Sequence, residues 1–182
     1  MVLETKTIKA IGFTMNKMIT VTKHPLILFA FLSLITSCQF SKGVKKDLKT
    51  GLSASYNGFA IDDIFLADGD KSRLGNNKIS LGTKLLVIAT GVDYYAEKNG
   101  RVFPGCTIIL TDKNKKELLN LPDAFEDMKD GTPAAEAKTL QAQLNTGEPM
   151  TIGETYHLNV RFFDKNKKEN EIVANVDVIM KE

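Results

Sequence analysis

Thr155–Phe162 (TYHLNVRF) and Ile172–Met180 (IVANVDVIM) decide the fold class of this chain. In the first, Tyr156, Leu158, Val160 and Phe162 alternate with polar partners; in the second, Val176, Val178 and Met180 repeat the pattern. Successive side chains of a strand point to opposite faces, so a period of two marks a strand with one buried and one solvated face. Lys84–Thr90 (KLLVIAT) is a nearly continuous apolar run, as in a central strand covered on both sides. Thr107–Thr111 adds a further strand, with Lys116–Leu121 as its pairing partner. Phe59–Ile61 and Ile64–Leu66 form an early strand region interrupted by Asp62-Asp63, as at a bulge. The expectation is a mainly β chain.

One helix is expected to break the pattern, inserted before the penultimate strand. Thr132-Pro133 offers an N-cap and a first-turn proline, and Gly147 lies just beyond the end. Ala134, Ala137, Leu140 (or Gln141) and Leu144 then share one face. Pro122–Met128 reads as a shorter helical turn.

Ile152–Val160 (IGETYHLNV) is a Gly-containing approach, then Tyr156, then alternating apolar residues. It resembles the tyrosine corner of immunoglobulin-like sandwiches, in which the Tyr hydroxyl bonds back to the corner backbone. The resemblance implies an immunoglobulin-like antiparallel β-sandwich with Tyr156 in a structural role. It departs from the antibody type: Leu158 stands where a Cys would follow, and the chain has no Trp.

The N-terminal segment carries a different signal. Leu26–Ile35 (LILFAFLSLI) is an apolar run preceded by Lys17 and Lys23 and followed by Thr36-Ser37-Cys38. A charged start, a short apolar stretch and small residues at the end describe an export signal. The run is shorter than the roughly 20 residues a membrane-spanning helix needs. Ile35-Thr36-Ser37-Cys38 resembles the lipobox of bacterial lipoproteins, which implies cleavage before Cys38 and acylation of its thiol and new N-terminus. Residues 1–37 are then a signal peptide, with translation starting at Met15 or Met18. Residues 38–50 are the lipidated Cys and a flexible tether, and residues 51–182 a single β-sandwich domain. Gln39 rather than Asp after the Cys favours, within that family, the outer membrane; neither its periplasmic nor its outward side is indicated.

Removing residues 1–37 changes the electrostatics. The chain has 24 basic and 22 acidic residues; residues 1–37 hold four Lys and one acidic residue, leaving 20 against 21. A near-neutral chain without a clustered basic patch does not point to nucleic acid. Lys42, Lys45, Lys46 and Lys49 are a local exception, read as a solvated tether, with attraction to anionic lipid headgroups as the rival reading.

Chemistry-bearing residues are few. Cys106 precedes an apolar strand and reads as a small buried hydrophobe. His157 is the one histidine beyond the signal, too few for a metal site or a Cys–His pair. DKNKKE occurs at Asp112–Glu117 and Asp164–Glu169 and reads as two hairpin loops. Neither copy completes a calcium loop, since Lys stands at the sixth position where Gly is needed; Asp68–Ser72 fails similarly at Arg73. No catalytic residues, metal or cofactor are assigned. The candidate ligand-binding surface is Tyr94, Tyr95, Arg101 and Phe103, on a loop with an Asn99-Gly100 turn. The expected function is a lipid-anchored, non-enzymatic envelope module that binds an envelope protein, peptidoglycan or a glycan. Its rivals are a hydrolase using Asp62, Asp63 or Asp68, and an inhibitor of another envelope protein.

Overall fold

A computed structural model describes residues 41–182; the signal segment and Cys38 lie outside them. Ten strands build two sheets: β1 (Lys42–Asp47), β2 (Leu52–Asn57), β3 (Asp63–Asp68), β4 (Lys78–Ser80), β5 (Lys84–Thr90), β6 (Pro104–Asp112), β7 (Glu117–Leu121), β8 (Thr139–Asn145), β9 (Thr155–Asp164) and β10 (Lys167–Lys181). The larger sheet has seven strands in the order β1-β2-β10-β9-β6-β7, with β4 parallel to the end of β10; β3-β5-β8 form an antiparallel three-stranded sheet. The two pack as a sandwich.

The alternation read from sequence sets the interface. In β9, Tyr156, Leu158, Val160 and Phe162 are buried while His157 faces out, and β10 buries every second residue from Asn170 to Met180. Facing them are Ile64 and Leu66 of β3, Leu85, Val87 and Ala89 of β5, and Leu140, Ala142 and Leu144 of β8, all in one core. The unbroken run in β5 has the expected cause. It is the middle strand of the small sheet, and Leu86 and Ile88 form a second buried group with Ala67 on the other face.

Two expectations are corrected. The helix after Thr132 is a single 3-10 turn, Glu136–Lys138, followed at once by β8. Thr132 donates to the Glu136 carboxylate at 2.6 Å but does not cap the turn, whose N-cap is Ala135 without a side-chain bond. Leu140, Ala142 and Leu144 repeat with period two, and pairing to β5 outweighs a helical spacing in which Ala142 has no place. The second correction concerns the tether. Lys42–Asp47 is not flexible chain but β1, in register with Asn57–Leu52 of β2. Its lysines hid a strand whose inner positions are Gly43, Lys45 and Asp47 rather than apolar residues. The Tyr56 ring lies over Gly43, where a Cβ would come within 2.4 Å of the hydroxyl.

Candidate functional site

The loop from Gly91 to Phe103 leaves β5 and returns to β6 along the end of the sandwich. Its path is fixed by hydrogen bonds with five other parts of the chain. Ala60 and Asp93 exchange backbone bonds at 3.2 and 3.1 Å. The Asp93 carboxylate accepts from the Tyr94 N–H at 2.9 Å and the Lys138 ammonium at 3.0 Å, which together hold its pKa below the usual range. The fully buried Asp164 carboxylate accepts from the N–H of Ala96 at 2.6 Å and of Asn166 at 2.8 Å. Buried Asn170 donates through Nδ2 to the Tyr94 carbonyl at 2.7 Å. Val102 and Thr132 exchange two backbone bonds of 2.9 Å.

This frame assigns the four candidate side chains different work. Tyr95 caps the core: its ring meets Phe59 edge-to-face at 4.8 Å and its hydroxyl donates to the Ala137 carbonyl at 3.0 Å. Burial, with Asp164 and Asp93 nearby, raises the Tyr95 pKa well above its ordinary value. Arg101 is engaged with backbone, donating from Nε to the Asp130 carbonyl and from a terminal nitrogen to that of Gly131, both at 2.7 Å. Phe103 is half-buried against Gly131, where an added Cβ would lie 2.9 Å from its ring. Tyr94 is exposed, at 43%. Its φ is +70°, a left-handed conformation that is a genuine outlier for a bulky side chain. Sequence reading identified the residue but had no signal for this strain.

The hairpin turn at Asn99-Gly100 forms as expected, with φ of +54° and +70° and Lys98 bridged to Arg101. The paired hexapeptides are turns whose first Asp caps its own backbone. Asp112 accepts from the N–H of Asn114 and Lys116 at 2.8 and 2.9 Å, as Asp164 does from Asn166. Asp68 repeats the device with Asp70 and Ser72. Of the carboxylates weighed for hydrolysis, Asp68 is thus occupied in a turn, Asp63 pairs with Arg73, and exposed Asp62 lies against Gly91. Among the described residues, no three His, Cys, Asp or Glu side chains converge as a metal site would require. Cys106 is fully buried in β6, and desolvation pushes its thiol pKa up to about 12.

Tyr156 reaches back along its own chain. Its hydroxyl accepts from the Thr151 N–H at 2.8 Å, five residues upstream. Two open clefts lie elsewhere. One of about 430 Å³, between the β1–β2 turn and β3, is bordered by Lys45, Lys49, Asp63 and Arg73; another of about 360 Å³ is bordered by Asp68, Lys78 and Lys84. Neither borders Tyr94. Compared with known proteins, the chain matches no family model and no curated protein.

Proposed function

We propose that the protein is a lipid-anchored, non-enzymatic binding module of the bacterial envelope, held through Cys38 in the outer membrane and engaging a protein or glycan partner through Tyr94. The observation that carries the binding surface is the conformation of Tyr94. A bulky residue at positive φ costs roughly 1–2 kcal/mol, and such strain persists where the surroundings over-determine it, often at binding sites. Here Asn170, Asp93 and Asp164 impose the backbone path while the ring remains exposed. A rigid, pre-set aromatic loses little entropy on binding.

The anchor rests on the Leu26–Cys38 segment. Immunoglobulin-like character is supported by the backward bond of the Tyr156 hydroxyl, within a sandwich that departs from the antibody arrangement by its seven and three strands.

The test separates anchor from surface. Mass spectrometry of the mature N-terminus should find an acylated Cys38, and Cys38→Ser should move the protein from membrane to soluble fractions. Crosslinking in intact envelopes should recover a partner with the parent protein and lose it with Tyr94→Ala. An unmodified Cys38 would remove the anchor; capture unchanged in Tyr94→Ala would remove the surface.

A further inference from the structure

Edge strand β1 and the turn that follows it carry a combination of features the binding loop lacks. Lys42, Val44 and Lys46 point to the solvated face of the large sheet, opposite Asn57, Ser55 and Ser53. Val44 is 62% exposed and Leu48, at the turn, 92%, with Lys49 beside it. The nearby acidic group is turned inward: Asp47 accepts from the Lys49 N–H and the Thr50 hydroxyl, both at 3.0 Å. The other edge of the same sheet is mixed in charge. There exposed Glu117 follows exposed Lys115 and Lys116, and the chain beyond β7 exposes Glu126, Asp127 and Asp130 around Lys129.

We propose that the β1 edge is the face this domain turns to an anionic lipid bilayer, with the strand lying along the headgroups and Val44 and Leu48 entering them. The inference rests on the anchoring of Cys38. Four residue steps separate Cys38 from Lys42, and extended chain covers at most about 3.5 Å per step, or roughly 14 Å in all. That is comparable with the Debye length of about 8 Å at physiological ionic strength, so the first lysines lie within or near reach of the surface potential. Lysines within that field are attracted to anionic headgroups, and exposed aliphatic side chains between them gain by leaving water. Six strand residues span about 20 Å, so Leu48 reaches the bilayer only if β1 lies flat. With the sheet tilted so that the outward side chains of β1 meet the bilayer, the β7 edge, five strand spacings or roughly 24 Å across the sheet, stands farther from the surface. Lysines alone would serve to keep an edge strand from pairing with another chain. The exposed Val44 and Leu48 have no part in that duty.

The experiment uses the mature protein carrying Leu48→Cys or Leu121→Cys, each labelled with an environment-sensitive fluorophore. Cys106 is fully buried and stays unlabelled in the folded protein. Sedimentation with phosphatidylcholine vesicles reports the anchor alone, and a second label on Cys38 would reveal a free thiol there. Adding phosphatidylglycerol should blue-shift the label at position 48 and leave the one at 121 unchanged. Lys42→Gln, Lys46→Gln and Lys49→Gln together should weaken the surface contact roughly a hundredfold and abolish the shift, at about fivefold per lysine. A protein that sediments but shows no shift at 48, or an equal shift at 121, overturns the proposed orientation and leaves the anchor standing. Failure to sediment with phosphatidylcholine removes the anchor. The response at 48 to phosphatidylglycerol vesicles then decides the basic edge by itself.

Discussion

The segment after Cys38 and the loop after β5 are both held more firmly than their compositions suggest. Lys42–Thr50, rich in lysine, reads as tether and is a paired strand and turn. Tyr94–Gly105, rich in aromatics and turn residues, reads as a candidate binding surface, and its backbone is fixed by Asp164, Asn170 and Asp93. Hydrophobicity describes only the inward half of a strand, and an edge strand has little of it to show. The hydrogen bonds that stiffen a loop involve residues some 70 positions away, as where the Asp164 carboxylate accepts from the Ala96 N–H, and leave no local trace.

The largest expected effect breaks the loop without touching the edge. Asp164→Ala leaves the N–H groups of Ala96 and Asn166 without their buried acceptor, at about 1–3 kcal/mol for each. The urea midpoint should fall accordingly, and amide exchange should rise in Ala96–Phe103 while Lys42–Asp47 keeps its protection. Equal loss in both segments would mean that the two regions are not separately held.

A smaller effect is expected from the edge. In Gly43→Val the new side chain must displace the Tyr56 ring, and overpacking of this kind costs about 1–3 kcal/mol. The lower end is expected, because the atoms in the way are the far end of a side chain. A tether would accept valine at no cost, so an unchanged melting temperature would contradict β1.

Tyr94→Gly sharpens the contrast from the other side. Relief of the left-handed backbone should leave stability unchanged or raise it by about 1 kcal/mol, although glycine gives back part of that gain through unfolded-state entropy. Partner capture should be lost at the same time. A destabilised variant would show that the ring works as packing.

Least affected should be Lys46→Gln or Lys49→Gln, both exposed side chains on the β1 edge. Their thermal stability should stay within about 0.5 kcal/mol of the parent, since exposed substitutions rarely exceed that. A larger loss would give these lysines a structural duty that the proposed surface does not need.

Much of the sandwich was legible because β5, β6, β9 and β10 bury the residues their patterns mark. β8 was missed because Ala137, Leu140 and Leu144 satisfy a helical spacing while Leu140, Ala142 and Leu144 satisfy a strand, and pairing to β5 decides between them. β2 and β4 carry small or polar residues such as Ser53, Ser55 and Lys78 and owe their form to β10. Of the candidate surface, the residues were visible and their division of labour was not. Tyr95 and Phe103 are aromatic in the sequence whether they cap a core or contact a ligand, and Ala137 and Gly131 reveal their role only in three dimensions.

Amide hydrogen exchange, read at Lys42–Asp47, tests most directly whether the folded domain begins at β1. Amides bonded to β2 should exchange far more slowly than in free peptide, with protection comparable to that of Leu52–Asn57. Exchange at free-peptide rates from Lys42 to Asp47, beside a protected β2, would restore the flexible tether and contradict a domain seated on the membrane by its edge.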